Sequence, residues 1–511
     1  MGDVPSSPNA AVHTYHDGTK HHFHAFARSL GYLDWASQPN PFRSFAGAQV
    51  LALPPAPGAE WDGPPIGPIL RTAFGLTAWK AFGQSRWSLR ANPSSGNLHP
   101  TEAYVVAGVR GSGRSTVCHY AADRHALEER CVFASPLADD VILIALTSIH
   151  WRESWKYGER AFRYCQHDIG HAIAALTVAA SLDGWRTVLL ADWSGDDIAR
   201  LVGCDRDDDY IDAEREEPAC VLALTAGPNP IVNRTALVEA VGRGEWRGRA
   251  NQLSVTHVQW TFIDQVAEAT RIAPLDRPPP SSSGRRAGEP RYDRMIVLRR
   301  RSAVAFDGHS TLPAARFFEM LHQTLPAQST LLDTIWWTPR IHFALFVHRV
   351  EDLEPGLYLF ERDPSSGERL RRHLGREFDV APVVDSLPLF GLVQGDCRRA
   401  AQRVSCDQEI AADGFFSLGM VAEFDASLQE FGPSFYRHLF WEAGFVGQLL
   451  YLEAERAGAR ATGIGCFYDD PVHEILGLKA HTFQSLYHFT IGVPVEDTRI
   501  TTSRGYGWET I

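Results

Sequence analysis

Two stretches decide the fold: Arg163-Tyr-Cys-Gln-His-Asp168-Ile-Gly170 and Arg437-His-Leu-Phe-Trp-Glu442-Ala-Gly444. They lie 274 positions apart and align without a gap. The register continues outward through Ala180 and Ala454, Gly184 and Gly458, Asp196 and Asp470, and Gly203 and Gly477. After a short deletion, Thr225-Ala-Gly227 meets Thr490-Ile-Gly492, and Arg234 meets Arg499. The second half of the chain therefore repeats the first. A fused duplicate is a homodimer written as one polypeptide, so a site between subunits becomes a site between halves.

The length of 511 residues accommodates two large domains, and a composition of 44% hydrophobic and 22% charged residues is that of an ordinary globular protein. A formal charge of −12 argues against a nucleic-acid scaffold, because phosphate backbones need a basic surface. No apolar run reaches the roughly 18 residues of a membrane span, and no signal-peptide core stands at the N-terminus. Met1-Gly-Asp-Val-Pro-Ser6 fits only a loose myristoylation pattern. The eight cysteines form no C-x-x-C pair, which points to reduced thiols in a cytoplasmic protein. Histidines 13, 16, 21, 22 and 24 cluster without a defined ligand spacing, so no metal site is assigned.

Asp276 to Pro290 is rich in proline, serine and arginine and reads as a linker. It divides the chain into residues 1–275, a linker over 276–290, and residues 291–511. Leu53 to Pro68 reads as an ordered surface loop. Short β-rich runs at Ala103–Ala107, Val141–Leu146, Ala219–Thr225, Phe343–Val347 and Leu486–Ile491 predict strands. Ile169–Leu182 and Ala443–Ala457 predict helices that lack a polar face, suited to a pseudo-twofold interface. Ser254–Arg271 predicts a further helix, capped by Ser254 and packed from one half onto the other. Strands and helices without regular alternation indicate an α+β fold.

Several segments have the chemistry of a site. Arg90 to Tyr104 packs hydroxyls, amides and two prolines into one loop. Leu298-Arg-Arg-Arg-Ser302 suits a phosphate, which takes guanidinium and hydroxyl contacts. Thr462-Gly-Ile-Gly-Cys-Phe-Tyr-Asp-Asp470 brings a flexible backbone near a flat ligand, with Asp-Asp-Pro471 reading as a helix cap. Lys156 and Tyr157 sit side by side ahead of the first buried helix, and either acts as acid or base only where the site tunes it.

Together these segments resemble the nitroreductase superfamily, and within it the SagB-type flavin dehydrogenases. The resemblance rests on Pro93-Ser-Ser-Gly-Asn-Leu-His-Pro-Thr-Glu102, Lys156-Tyr-Gly-Glu-Arg-Ala-Phe-Arg-Tyr164, Arg300-Arg-Ser302, Thr462 to Asp470, and the closing Gly492 and Arg499. Tyr15-His16, Thr19-Lys-His21, Leu33-Asp-Trp35 and Gln38-Pro39 also look like tandem members of that group. It implies two nitroreductase-like domains forming an intramolecular pseudo-dimer, with FMN at their interface. Arg300, Arg301, Ser302, Gly463, Ile464, Gly465 and Arg499 would come from the second half. Pro93, Ser94, Ser95, Asn97 and His99 would come from the first. Lys156 and Tyr157 match a catalytic pair that assists proton removal. The mirror-image site looks broken: Arg43-Ser-Phe45 is the first half's one trace of Arg-Arg-Ser, Arg186 to Leu189 carries no glycine, and Trp336-Trp-Thr-Pro-Arg340 replaces the Ser-Ser loop. The expectation is one flavin per chain. The implied activity is hydride transfer from a heterocyclised peptide or related small molecule. The alternatives are an NAD(P)H-dependent nitroreductase-like reductase and a degenerate scaffold binding flavin or peptide.

Overall fold

In the computed structural model, the described residues are 7–54, 65–109, 112–134, 136–137, 141–227, 229–275, 290–375 and 378–509. Most of the expected linker and most of the Leu53–Pro68 loop lie outside them. Four helices organise the molecule: α1 (Pro8–Gly18), α2 (Ala161–Leu182), α3 (Thr261–Ala269) and α4 (Phe435–Arg456). The first half contributes strands β1 (Thr101–Val109), β2 (Arg114–Ala121), β3 (Ala126–Ala134), β4 (Ile142–Ser148), β5 (Arg186–Leu189) and β6 (Glu217–Thr225). The second contributes β7 (Ile341–Val347), β8 (Gly356–Phe360), β9 (Leu389–Gln394), β10 (Phe416–Glu423), β11 (Arg460–Ile464) and β12 (Phe483–Gly492). The first sheet runs β3-β2-β1-β4-β6-β5 and the second β9-β8-β7-β10-β12-β11, one order written twice. Neighbours within each sheet are antiparallel.

α2 and α4 are each 22 residues long and start 274 positions apart, so the sequence register holds at the level of helix ends. Both start earlier than their apolar stretches suggested, because buried polar residues in the first turns find internal partners. From Ala161 to Ala180 and from Phe435 to Ala454 every residue is buried. The helices touch backbone to backbone. A Cβ on Gly170 would fall on the Trp441 carbonyl oxygen, and a Cβ on Gly444 on the His167 carbonyl oxygen. Trp441 is three residues before Gly444 and His167 three before Gly170, so the crossing is its own mirror image. Burial of helices without a polar face is thereby completed inside one chain.

Polar ties repeat about the same axis. Arg163 donates to Asp469 at 2.7 Å, to Thr19 Oγ1 at 3.0 Å and to the His16 carbonyl. Its equivalent Arg437 donates to Glu217 at 2.7 Å, to Thr270 Oγ1 at 3.0 Å and to the Ala267 carbonyl. The Asp469 amide donates to the His21 carbonyl as the Gly195 amide donates to that of Ile272. Thus α3 stands in the second repeat where α1 stands in the first. The repeat reopens at α3, ahead of residues 276–290 where composition set the boundary. Each of these helices lies against the opposite half, through Asp425 and Gln484 for α1 and through Glu217 for α3 by way of Arg437.

Three local expectations change. The helix expected from Ser254 begins at Thr261; Ser254 instead accepts from Trp151 Nε1 at 2.7 Å and donates to the Ser37 carbonyl, which holds the approach in a loop. Asp469 is not a free cap, since Arg160 and Arg163 both bind its buried carboxylate and hold it well below the usual carboxylate range. Arg43 is fully buried on Glu216 and on the carbonyls of Glu214 and Asn251, a structural role rather than a remnant of a phosphate site.

The helix crossing yields the first prediction. Gly170→Ala forces two backbones apart and should lower the thermal midpoint, at a cost of about 1–3 kcal/mol or more. Gly242→Ala, at a helical glycine with open space around it, should leave the midpoint unchanged or raise it. Equal melting of the two variants would contradict the close-contact account.

Candidate active site

The pseudo-twofold axis leaves a cavity of about 450 Å³ between the halves. The loop before β1 forms one wall. Gly96, Asn97 and His99 all have positive φ, near 59°, 60° and 51°. Such a turn asks for glycine at its tightest point, and a Cβ on Gly96 would meet the Tyr157 hydroxyl at 2.6 Å. Ser95 donates through its amide and its hydroxyl to Asp168 on α2, both at 3.1 Å. Asn97 donates to the Ser88 carbonyl, and its side-chain oxygen lies 3.0 Å from His99 Nε2. Ser94 Oγ accepts from the His99 amide at 2.8 Å. Pro93, Ser94, Ser95, Asn97 and His99 all line the cavity.

The second half forms the facing wall. Ser302 bridges in parallel to Ala461 on β11, and Ser302 Oγ lies 2.9 Å from the Tyr451 hydroxyl. The Gly463 amide donates to that same hydroxyl at 2.9 Å. Gly463 and Gly465 leave room for side chains of the protein: a Cβ on either would strike Tyr487 or Tyr164. Ile464 lies buried between them, paired with His488 of β12.

Arg300 is buried in this wall. It donates across the interface to the Ala91 and Arg90 carbonyls, at 3.1 and 3.2 Å, while Nη1 meets no protein partner. Arg301 donates to the carbonyls of Leu298, Arg300 and Thr77. Neither guanidinium meets a carboxylate. Burial, followed by the charge of Arg300, pushes Arg301 down to about 10. Buried Arg300 and half-buried Arg301, neither in an ion pair although Glu455 accepts from the Arg301 amide nearby, stand beside a serine hydroxyl and form a cradle for an anion.

Burial shifts several other groups of this region toward their neutral forms. Burial pushes the Asp168 carboxyl up to about 7 against the opposing hydrogen bonds from Ser94 and Ser95. Glu153 is raised well above the usual range by burial and then by Asp168, and neither of its oxygens has a partner. Burial lowers His171, which contacts the Tyr487 hydroxyl at 3.1 Å, to about 3. Burial raises Tyr157 and Tyr164, whose rings meet edge to face at 4.6 Å, so both keep their protons.

Two expected residues stand apart. Lys156 is exposed beside the loop, its Nζ 5.1 Å from the Tyr157 ring centroid, and does not line the cavity. Arg499 points to solvent because Asp497 in the same turn holds it at 2.7–2.9 Å, so it is not among the lining residues. Among the basic side chains in the wall is Arg460, paired with Glu496, which sequence reading missed although it leads into Thr462-Gly-Ile-Gly. Asp168, Tyr164, Tyr451 and Tyr487 were likewise missed as wall residues; they come from α2, α4 and β12, and although Tyr164 closes the Lys156–Tyr164 motif, nothing in the sequence marks them as facing a cavity.

A second cavity of about 300 Å³ lies at the mirror position. Thr177 and Arg186 there take the places of Tyr451 and Arg460, and Ser329–Thr334 faces them. Its other arginine, Arg291, is neutralised by Glu319 and Glu453 at 2.9 and 2.6 Å.

The Asp168 shift fixes a pH dependence. A carboxyl whose folded value is raised contributes stability that is present below its unfolded value and lost as pH rises through the folded value. Wild-type protein should therefore lose stability between about pH 4 and pH 7 through this group. Asp168→Asn should flatten that part of a plot of thermal midpoint against pH; an unchanged slope would mean that Asp168 is ionised throughout.

No protein-family model matches the chain, and no curated protein does. Among solved structures, 95% of the chain is similar to 99% of a candidate nitroreductase from Anabaena variabilis ATCC 29413, at 21% identity and a TM-score of 0.70. A further 19% identity links 44% of it to 78% of a chain in the E. coli microcin synthetase McbBCD complex with truncated pro-MccB17 bound, at a TM-score of 0.30. Similarly, 40% of it matches 82% of a candidate nitroreductase from Ralstonia eutropha JMP134, at 19% identity and a TM-score of 0.28. The first likeness runs end to end and establishes the fold: this chain is α+β and nitroreductase-like, with two such domains joined as an intramolecular pseudo-dimer.

Proposed function

We propose that the protein is an FMN-dependent oxidoreductase with one composite flavin site per chain. The observation that carries this reading is the pair of buried Arg300 and half-buried Arg301, which line the cavity without an ion-pair partner among the described residues. Arg300, Arg301 and Ser302 would hold the phosphate. Pro93, Ser94, Ser95 and Asn97 from one half, and Gly463, Ile464 and Gly465 from the other, would flank the ring system. FMN, when bound, accepts and returns a hydride at N5. In the mirror cavity Arg291 is paired with Glu319 and Glu453, and Thr177 replaces Tyr451, which supports a single flavin.

The remaining wall residues define what the protein does for a substrate. Tyr157 keeps its proton and lines the cavity, so it donates a hydrogen bond or a proton and does not act as a resting base. Lys156 stands on the solvent side of the same loop and supplies charge from outside. Asp168 orients Ser95 and with it the 94–99 turn. Within this reading the finer assignment is a SagB-type dehydrogenase acting on a heterocyclised peptide or related small molecule. It rests on the resemblance of the Pro93–Glu102, Lys156–Tyr164 and Thr462–Asp470 motifs.

Purified protein should be yellow and release close to one FMN per chain on denaturation; colourless protein that takes up no added FMN would sink the proposal. Bleaching by NADH or NADPH would favour the reductase alternative over the dehydrogenase. Arg301→Ala should weaken FMN retention by about 10- to 150-fold, from a charge-assisted contact of roughly 1.5–3 kcal/mol. The flavin-free variant should be no less stable than flavin-free wild type, because a repelled cation has been removed. Tyr157→Phe should keep the flavin and slow its reduction by substrate by about 10²–10⁴-fold. Loss of flavin and stability together in that variant would assign Tyr157 a packing role.

A further inference from the structure

We propose that Cys406 and Cys466 form a redox-active dithiol at the edge of the cavity, with Cys466 in its wall, that exchanges with low-molecular-weight disulfides. Their Sγ atoms lie 3.2 Å apart, although the residues are 60 positions apart in the chain. Two clamps hold the segments together on either side. The Tyr468 amide donates to the Val404 carbonyl at 2.9 Å, and Gln408 Nε2 donates to the Cys466 carbonyl at 2.9 Å. A disulfide needs about 2.05 Å between sulfurs, so closure asks for roughly 1 Å of movement. Cys406 and Asp407 are consecutive non-glycine residues with positive φ, near 54° and 57°, a backbone state that persists only where the surroundings impose it.

Both thiols are half-buried, and Cys466 lines the cavity directly after Gly465. The other cysteines differ. Cys118, Cys131, Cys165, Cys204 and Cys220 are buried, and Cys397 donates to the Val347 and Gly356 carbonyls. The groups facing Cys466 are Cys406, His21 and Arg160, with Asp469 and Tyr164 beyond them. The Cys406 hydrogen bond, with support from His21 and Arg160, lowers Cys466 to about 5, while Cys406 is raised. This makes Cys466 the attacking sulfur and Cys406 the resolving one.

The chemistry balances without another cofactor. The Cys466 thiolate attacks one sulfur of a disulfide RSSR; the S–S bond breaks, a Cys466–S–S–R bond forms and RS⁻ leaves. The Cys406 sulfur then attacks the Cys466 sulfur and expels the second RS⁻, its proton passing to that leaving group. Two protein thiols are oxidised, and RSSR is reduced to two RSH once the first leaving group takes a proton from solvent. The new bond staples the 405–408 segment to the end of β11.

Reduced protein should be incubated with oxidised glutathione at neutral pH, quenched in acid and mapped by mass spectrometry. The expected product has lost two of its eight thiols and links Cys406 to Cys466. Cys406→Ser should stop at a mixed disulfide on Cys466, and Cys466→Ser should leave Cys406 unmodified over the same time. Melting curves matching wild type establish that both variants fold. Eight free thiols after wild-type treatment, or glutathione on Cys397 or Cys406 ahead of Cys466, would overturn the proposal. This readout needs no flavin, so it stands or falls separately from the proposed oxidoreductase activity.

Discussion

The whole molecule hangs on two glycines 274 residues apart. Gly170 and Gly444 let two fully buried helices approach until each glycine rests on a carbonyl of the other. At that spacing no side chain fits between the backbones, and the pair has one register. Because the contact is reciprocal, it defines an axis, and the two sheets repeat about it strand for strand. Arg163 and Arg437 then stitch the helices to matching threonines and acids on both sides. A helix with no polar face has to be covered on several sides. Here a second copy in the same chain does the covering.

An axis of this kind produces cavities in pairs, yet it does not oblige them to stay alike. The crossing that stabilises the molecule lies between the two cavities and needs neither. Substitution of wall residues in one cavity therefore leaves the helix contact intact. Thr177 and Arg186 stand where the larger cavity has Tyr451 and Arg460, and Arg291 is bound by two glutamates. In the larger cavity Arg300 and Arg301 form no ion pair, although Glu455 accepts from the Arg301 amide beside them. The two cavities thus differ in their wall side chains, and even the equivalent arginines are held differently, Arg460 by Glu455 and Glu496 and Arg186 by the Gly227 carbonyl.

The repeat, the strands and the two central helices were legible because apolar periodicity and glycine spacing are local properties of the chain. The restart of the repeat at α3 was not. Its helix contains few residues in common with α1, and the equivalence appears only when Thr19 and Thr270 are seen on equivalent arginines. The Ser-Ser loop and the Arg-Arg-Ser segment, each a continuous motif in the sequence, both line the cavity. Arg499 does not, because Asp497 captures it within one turn. The Cys406–Cys466 pair was invisible for a similar reason: sixty residues separate the thiols, and tertiary contacts such as the Val404–Tyr468, Gln408–Cys466 and Asp407–Tyr468 hydrogen bonds bring them together.

The wall chemistry follows from burial acting differently on acids and on arginines. Burial raises Asp168 to about 7 and Glu153 well above the usual carboxylate range, and it leaves His171 neutral. An arginine cannot shed its charge so readily, and at about 10 even Arg301 stays cationic at neutral pH. The same low-polarity surroundings that silence the acids leave the guanidiniums as the dominant charge in the wall. Their nearest rivals, the carbonyls of Arg90, Ala91 and Thr77, satisfy hydrogen bonds without supplying a negative charge. A buried cation that lacks a counter-ion destabilises the ligand-free protein. The scaffold tolerates it because the helix crossing and its two arginine ties lie outside the cavity and hold the halves together independently. The preference for an anionic occupant is therefore set by which ionisable groups can discharge themselves on burial and which cannot.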